Sequence, residues 1–386
     1  MLLSSRKFIV LILAPLILIL SISCKENSNK NSSSNISKGQ ESDIKYAQGF
    51  SISHFDGYKI ITLKNPWPGA SQTFRYALLE KNGVLPTDQS FDAVVNIPVK
   101  KIVVTSTTHI PSLESLGEIE SLKGFPNLDY ISSEKVRILI SQGKIEEVGK
   151  NEDLNTEILL DLSPEAVVGF AMDGKNSTLT TLQKSGIPVL YNSDWTENSP
   201  LGKAEWIKFF GALYNKEKLA DSIFNGIESA YRQAKEIASH AKNVPTVISG
   251  AMYKDIWYMP QGDSWGAKFI EDANGNYLWK DSKGTGGLSL NIESVLEKGY
   301  NADVWIGPGQ FTSLSGLKNS SSAYIQFKAF KEGEVYSYNS KKGEKGGSLY
   351  FELAPNRPDI VLKDMIKIFH PELLPDYSLY FFEKLK

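Results

Sequence analysis

A serine, two aspartates and a histidine are the residues in this chain whose types and order could carry out hydrolysis. Ser264 is the centre of a G-x-S-x-G motif at residues 262–266, between a strand-like run and a helical pattern, as a nucleophile elbow requires. Asp359, Asp364 and His370 follow it in the order that such a triad needs. However, the motif is short, no HGGG-like stretch precedes it, and Ser264 would equally cap the next helix. A hydrolase is therefore a minor alternative.

Direct metal binding is not expected from the sequence. The four histidines, His54, His109, His240 and His370, are scattered, and no pair has the spacing of metal ligands on a helix or short loop. Cys24 is the only cysteine, which excludes an internal disulfide and a cysteine cage for a metal. We therefore predict neither a resident metal ion nor another cofactor.

The composition is that of a globular protein without nucleic-acid-binding character. Of 386 residues, 41% are hydrophobic and 22% are charged, which is enough for two lobes with substantial cores. The formal net charge of -2 gives no reason to expect a nucleic acid as a partner.

The N-terminus has the features of a secretory signal. Arg6 and Lys7 precede an apolar run at residues 8–20, which is too short to span a membrane, and small residues follow it. Because Cys24 comes directly after them, the segment resembles a bacterial lipoprotein signal, although Ser21 stands where such signals usually have leucine. The alternative is a cleaved signal peptide whose cysteine is incidental.

We therefore predict a signal peptide at residues 1–23 and a mature chain that begins at a lipid-modified Cys24. Residues 24–43 have no aromatic side chain and almost no aliphatic ones, so they cannot bury enough apolar surface to fold. This composition predicts a disordered tether between the lipid and the folded protein.

The folded part is organised around one long helix. Apolar residues recur every three to four positions over residues 215–241, which predicts a helix of roughly 40 Å buried along one face. Strands alternate with short helices on either side, in lobes at residues 99–214 and 242–386. The predicted fold class is α/β, with two Rossmann-like lobes that contain parallel sheets and are bridged by the helix. Residues 44–98 are predicted to be a hairpin-rich N-terminal extension.

This order of elements resembles a known family. The motifs that carry the resemblance are KIVVTSTTHIPSLESLG, LNTEILLDLSPEAVVGF, SGIPVLY, GDSWGAKFIEDANGNYLW and IESVLEKGYNADVWIG. With the lipoprotein-like signal, the tether and the long helix, they resemble the helical-backbone substrate-binding proteins of ABC importers for ferric siderophores, haem and cobalamin. The resemblance covers residues 99–386 and depends on the order and spacing of the motifs. It implies two lobes, a small hinge motion and a ligand held in the cleft.

The resemblance also implies one glutamate on each lobe that docks onto arginines of the permease. Glu157 matches the first, and Glu293 matches the second although two extra residues lie between it and the following strand. An exposed carboxylate on each lobe would set the register and rate of docking. Both glutamates also follow cap residues, Asn155 and Asn291, at helix N-termini that an acidic side chain stabilises. The two roles are compatible.

Residues directly after predicted strands are the candidates for the cleft, because open α/β sheets bind ligands at the carboxyl ends of their strands. They are Thr107, Thr108, His109, Met172, Asp173, Asp194, Trp195, Tyr253, Trp257 and Phe311. The flat aromatic side chains suit a large, partly apolar ligand such as a catecholate complex or a corrin ring. His109 is a minor candidate for an axial ligand of haem or cobalt. Few arginines are near, which favours a ligand of modest charge.

These observations predict an extracytoplasmic protein, anchored to a bacterial membrane by its N-terminal lipid, that captures a metal chelate and delivers it to an ABC transporter permease dimer. A ferric siderophore is the first choice of ligand, and cobalamin or haem is the alternative within the class. We expect a monomer without catalytic activity. A surface lipoprotein that binds another protein is a further alternative, and the sequence leaves the membrane leaflet open.

Overall fold

The computed structural model describes residues 39–386 except residues 152, 171 and 173–176, and it begins with an N-terminal sheet. The strands of this sheet are β1 (Gln40–Glu41), β2 (Phe50–Phe55), β3 (Tyr58–Lys64), β4 (Thr73–Leu79) and β5 (Ala93–Asn96). Strands β1 to β4 are antiparallel neighbours, and β5 pairs in parallel with β4. The β2–β3 hairpin closes through Asp56 and Gly57, where glycine takes a left-handed φ of 77° at little cost.

The N-terminal lobe follows with a parallel sheet in the order β12-β11-β6-β7-β8. Its elements are β6 (Ile102–Val104), α1 (Ile110–Ser115), β7 (Leu122–Phe125), α2 (Glu134–Ser141), β8 (Glu146–Glu147), β9 (Gly149–Lys150), β10 (Asp153–Leu154), α3 (Thr156–Leu162), β11 (Ala166–Gly169), α4 (Ser177–Lys184), β12 (Val189–Tyr191), α5 (Pro200–Glu205) and α6 (Ile207–Leu213). Strands β9 and β10 form a separate antiparallel pair. The central strands β6 and β11 are wholly buried, as is usual for a parallel sheet covered on both faces.

The N-terminal sheet and the N-terminal lobe share one hydrophobic core. Phe50 and Tyr76 of the sheet belong to the same buried cluster as Val103 and Val167 of the lobe. The backbone N–H of Tyr191 also donates to the buried Tyr76 hydroxyl at 3.0 Å. The extension, whose role the sequence does not indicate, therefore completes the core of the lobe.

Residues 43–49 form a strap between β1 and β2 that is bound by two buried carboxylates. Glu205 accepts the backbone N–H groups of residues 45–47 at 2.6 to 3.0 Å. Glu197 accepts those of residues 48–49 at 2.9 to 3.1 Å. Because a buried carboxylate without donors is costly, these bonds fix the path of the strap over the lobe.

The bridging helix α7 (Glu217–Ser239) is buried in two cores. Ala220, Phe224 and Ile227 in its first half pack into the core of the N-terminal lobe. Tyr231, Ala234 and Ala238 in its second half pack into the core of the C-terminal lobe. These positions recur every three to four residues, so one face of a helix about 35 Å long joins the two lobes.

The C-terminal lobe contains a main sheet and a smaller one. Its elements are β13 (Thr246–Ser249), β14 (Ala251–Tyr253), β15 (Ile256–Pro260), α8 (Trp265–Asp272), β16 (Asn276–Tyr277), β17 (Gly287–Leu290), α9 (Ile292–Gly299), β18 (Val304–Ile306), α10 (Leu314–Ser320), α11 (Lys328–Lys331), β19 (Val335–Ser337), α12 (Leu349–Leu353), α13 (Pro358–Phe369) and β20 (Glu383–Lys384). The main sheet has the order β16-β13-β18-β19-β20, in which only β20 is antiparallel to its neighbour. The smaller sheet, β14-β15-β17, is antiparallel.

The predicted α/β fold with parallel sheets and a long bridging helix is confirmed. The helix begins two residues later and ends two residues earlier than predicted. The predicted signal peptide, Cys24 and most of the tether lie outside the described residues. In the part of the chain that the structure describes, no helix is long and apolar enough to cross a membrane.

Phe224→Ala should lower the free energy of unfolding by about 3–5 kcal/mol, because it leaves a cavity where α7 enters the first core. Urea unfolding followed by circular dichroism measures this change. Lys218→Ala, at an exposed position on the same helix, serves as the control and should change the value by less than about 0.5 kcal/mol. Equal effects of the two substitutions would contradict the role given to this face.

Candidate functional site

The C-terminal lobe contains a cavity of about 730 Å³, which we call the C-lobe cavity. Ser249 ends β13, and Gly250, Gly307 and Tyr338 directly follow β13, β18 and β19. All four line the cavity, so it lies at the carboxyl ends of the parallel strands. This is where open α/β sheets bind ligands, and the volume is that of a small-molecule site.

Eight aromatic side chains contribute to its walls. They are Tyr253, Tyr258, Trp265, Phe311, Tyr338, Tyr350, Phe351 and Phe382. Tyr338 and Tyr350 stack with their ring centroids 4.3 Å apart, and Phe351 meets Tyr338 edge-on at 5.6 Å. This packing holds Phe351 in place although about half of it is exposed, so the cavity presents a rigid aromatic surface.

Gly250 places the small sheet against the cavity. Its φ is 82°, and a Cβ there would lie 1.8 Å from the backbone oxygen of Tyr258. Only glycine allows the chain to turn from β13 into β14 so close to β15. The turn brings Tyr253 and Tyr258 to the wall of the cavity.

A second cavity of about 400 Å³ lies between the lobes, and we call it the interlobe cavity. Residues 105–107 after β6 and Phe170 after β11 line it from the N-terminal lobe. Residues 346–348 and Phe351 line it from the other lobe. Because Phe351 lines both cavities, the two are adjacent parts of one cleft.

Both cavities lack charge within the described residues. The side chains that line them are aromatic, aliphatic, hydroxyl or amide groups, and none is Asp, Glu, Lys, Arg or His among the residues that the structure describes. Burial raises the pKa of Tyr338 and of Tyr350, so these phenols stay protonated. The cleft therefore offers stacking surface and neutral hydrogen-bonding groups.

Polar contacts join the lobes beside the cleft. The Asn356 amide donates to the backbone oxygen of Thr108 at 2.8 Å and accepts from the Ser112 hydroxyl at 2.9 Å. The backbone N–H of Ser132 donates to the buried Glu352 carboxylate at 2.6 Å. These bonds hold α12 and the loop after it against the N-terminal lobe.

Burial raises the pKa of Glu352 to about 7, and the neighbouring Glu114 carboxylate adds to the shift. The hydrogen bonds from the backbone of Ser132 and Ser133 oppose it. The carboxyl group thus changes its charge near neutral pH, at the contact between the lobes.

The predicted cleft residues of the first lobe are only partly brought together. Thr107 lines the interlobe cavity, and Thr108 donates its hydroxyl to the buried Asp194 carboxylate at 2.8 Å. Trp195 is 37% exposed and Met172 is 72% exposed, and neither lines the two cavities. Asp173 is a predicted cleft residue that lies outside the described residues.

The prediction that His109 offers an axial ligand does not fit its position. The side chain is fully buried, 5.4 Å from the Phe210 ring, and neither ring nitrogen has a partner among the described residues. Burial lowers its pKa to about 4, against the opposing effect of Asp194. His109 is a neutral core residue of the N-terminal lobe.

Trp257 also differs from its prediction as a cleft residue. Its ring is fully buried against Trp305, and its indole N–H donates to the backbone oxygen of Ser249 at 2.9 Å. Its neighbours on β15, Tyr258 and Met259, line the C-lobe cavity instead. Tyr253 and Phe311, in contrast, do line the C-lobe cavity.

Glu157 and Glu293 lie in the first turns of α3 and α9, and both are exposed. The side chains of Asn155 and Asn291 cap these helices, as the sequence suggests. Neither carboxylate has an ion-pair partner among the described residues. Each is therefore available to a partner, and docking on a permease stays a prediction.

The residues of the hydrolase alternative are separated. Ser264 is buried, donates to the backbone oxygen of Gln261 and caps α8. His370 instead contacts the backbone oxygen of Ala273 at 3.1 Å. In the described part of the chain, no group of three or more His, Cys, Asp and Glu side chains is placed to hold a metal.

Two α/β lobes on one bridging helix, with an aromatic cavity at the strand ends, define the class of two-lobed solute-binding proteins. The periplasmic binding protein family matches residues 102–341, which is more than half of the chain. The chain belongs to this family, whose members are solute-binding proteins. The resemblance to the helical-backbone class is thereby confirmed.

Two relatives match most of the chain. An uncharacterized lipoprotein of Methanocaldococcus jannaschii is 28% identical over 368 residues, which cover 88% of this chain and 85% of the relative. An uncharacterized protein of the same organism is 25% identical over 331 residues, covering 82% of this chain and 96% of the relative.

Solved structures share the fold at low sequence identity. A possible iron-binding, periplasmic solute-binding protein of Staphylococcus epidermidis is 17% identical, covers 71% of this chain and 99% of its own, and gives a TM-score of 0.55. A periplasmic heme-binding protein of Pseudomonas aeruginosa is 15% identical, with coverages of 75% and 98% and a TM-score of 0.57. A periplasmic binding protein of Veillonella parvula is 14% identical, with coverages of 84% and 96% and a TM-score of 0.59.

Glu352→Gln should remove a pH dependence of stability. Folding raises the pKa of Glu352 from about 4.5 to about 7, so the folded state favours the protonated carboxyl group. The resulting contribution of Glu352 to the unfolding free energy is fully present below pH 4.5 and is lost as the pH rises through 7. The difference in unfolding free energy between wild type and variant should fall by about 3 kcal/mol over this range.

Urea unfolding at pH 4.5, 6 and 8 measures this difference. Glu344→Gln, an exposed carboxylate on the preceding loop, is the matched control and should leave the pH dependence unchanged. A Glu352→Gln protein with the same pH dependence as wild type would show that Glu352 is not the titrating group.

Proposed function

We propose that this protein captures a metal chelate outside the cytoplasm and delivers it to the permease of an ABC importer. The observation that carries the proposal is the aromatic cavity at the carboxyl ends of the C-lobe strands, which continues into a cavity between the lobes. Chelates with large flat or apolar faces gain stacking area there, and the hydroxyl and amide groups supply a few directed hydrogen bonds. Membership in the periplasmic binding protein family supports the transport role.

A ferric siderophore is our first choice of ligand, and cobalamin or haem is the alternative within the same class. Iron is named in the description of one similar structure and haem in that of another, but these likenesses concern the fold. In this proposal the iron or cobalt chelate is cargo, and the protein holds no cofactor of its own. The chain acts as a monomer and catalyses nothing, since its hydrolase-like residues are bonded elsewhere.

We also propose a lipid anchor at Cys24. The support is the signal-like sequence before this residue and the name lipoprotein given to a relative that matches most of the chain. The anchor would keep the protein at the membrane surface. The protein would then reach the permease without diffusing through the surrounding solution.

Ligand binding can be followed by intrinsic fluorescence of a chain that starts at residue 25, because Trp265 lines the C-lobe cavity. Titration with ferric siderophores, haemin and cyanocobalamin should give saturable quenching by at least one chelate. Phe351→Ala should weaken that affinity by roughly 10-fold or more, since it removes an aromatic wall shared by both cavities.

Met172→Ala is the control for this titration, because Met172 is an exposed cleft candidate that lines neither cavity. It should leave the affinity unchanged. Absence of quenching across the panel would remove the chelate assignment and favour a lipoprotein that binds another protein. An equal loss in both variants would place the ligand elsewhere.

Docking is tested by Glu157→Ala and Glu293→Ala in a transport assay with the permease. Each variant should reduce uptake while the affinity for the ligand stays at the wild-type value, because the two carboxylates lie outside the cleft on separate lobes. Asp161→Ala and Glu297→Ala, which remove exposed carboxylates farther along the same two helices, are the controls. Unchanged uptake with both glutamates replaced would refute the docking role.

A further inference from the structure

Among the described residues that line the C-lobe and interlobe cavities, no side chain carries a charge that could neutralise a charged ligand. Among the described lining residues, the polar side chains are hydroxyls and amides, such as Ser249, Thr285 and Gln310. The Lys254 ammonium is a cation at the margin, but it lies 5.6 Å over the ring of Tyr253 and does not line either cavity. The described walls of the cleft would therefore offer a ligand only neutral side chains.

The charge of ferric chelates depends on their chemistry. Three hydroxamates carry one negative charge each and neutralise Fe(III), whereas three catecholates carry two each and leave a trianion. Moving an unpaired ion from water into an apolar site costs several kcal/mol even after relaxation. A neutral chelate avoids this cost and still gains the aromatic contact area.

We propose that the cleft selects electroneutral chelates, such as ferric trihydroxamates or neutral corrinoids, and rejects ferric tricatecholates. This inference rests on the proposed function, which it narrows to one charge class of ligand. It revises the expectation of a catecholate complex, which followed from the aromatic residues alone. The hydroxyl and amide groups of the walls suit the carbonyl and amide groups that such neutral ligands present.

The wall also gives positions where charge can be added without disturbing the core. Thr285 and Gln310 line the C-lobe cavity, and both are exposed to solvent. A lysine at either position would place an ammonium group at the cavity with its stem along the apolar wall. Val84, 78% exposed on the loop after β4, lines neither cavity and offers the same change of charge elsewhere.

The test compares two probes, the neutral ferric complex of an N-acetylated trihydroxamate and the ferric complex of a tricatecholate. Fluorescence titration of the chain from residue 25 should give an affinity for the neutral probe that is at least roughly 100-fold higher. Gln310→Lys and Thr285→Lys should each reduce this ratio by roughly 3- to 10-fold, mainly through tighter binding of the trianion. Val84→Lys should leave the ratio unchanged.

The outcomes separate this inference from the proposed function. Binding of the trianion as tightly as the neutral probe, or a ratio that neither cavity lysine alters, would overturn the charge selection and leave chelate binding intact. Failure of haemin, cyanocobalamin and both ferric probes to bind would overturn the proposed function and this inference together. Circular dichroism of each variant identifies any loss of folding.

Discussion

The burial of one helix in two hydrophobic cores is the constraint on which the rest of the structure depends. Helix α7 contributes Phe224 to the first core and Tyr231 to the second, so neither core is complete without it. Tyr46 of the strap packs against both cores at the same junction, and its hydroxyl donates to Glu228 on α7 at 2.7 Å. Any relative motion of the lobes must bend or twist this helix, which limits the cleft to small changes of width.

Directional polar contacts then determine how the lobes face each other. Apolar packing on α7 fixes their distance, but the bonds of Asn356 and Glu352 to the first lobe fix the alignment across the cleft. Residues 346–348 pass close to Tyr130, where a Cβ on Gly347 would lie 2.1 Å from the Tyr130 backbone oxygen. The cleft is therefore formed by a precise approach of backbones, and its shape is set before a ligand enters.

The elements with strong periodicity could be predicted from the sequence, and the details of the site could not. The apolar spacing predicts α7, and the β-branched runs predict the strands β6 and β11, because a regular element that is buried leaves a regular apolar pattern in the sequence. Trp257, Tyr258 and Met259 follow one another on β15, but only the last two line the C-lobe cavity, because the Trp257 ring packs against Trp305 in the core. Phe351 lies in α12 and Tyr338 lies in the chain before it. No periodic pattern in the sequence predicts that these two rings contact each other. His109 follows a strand, yet tertiary packing buries it.

The C-lobe cavity is built by a single lobe, and this has a consequence for unloading. All of its lining residues lie between Ser249 and Phe382, so a ligand seated there keeps its aromatic contacts when the lobes move apart. Widening the cleft removes only the contacts of the interlobe cavity. Separation of the lobes alone therefore leaves the ligand in contact with the aromatic walls of the C-lobe cavity.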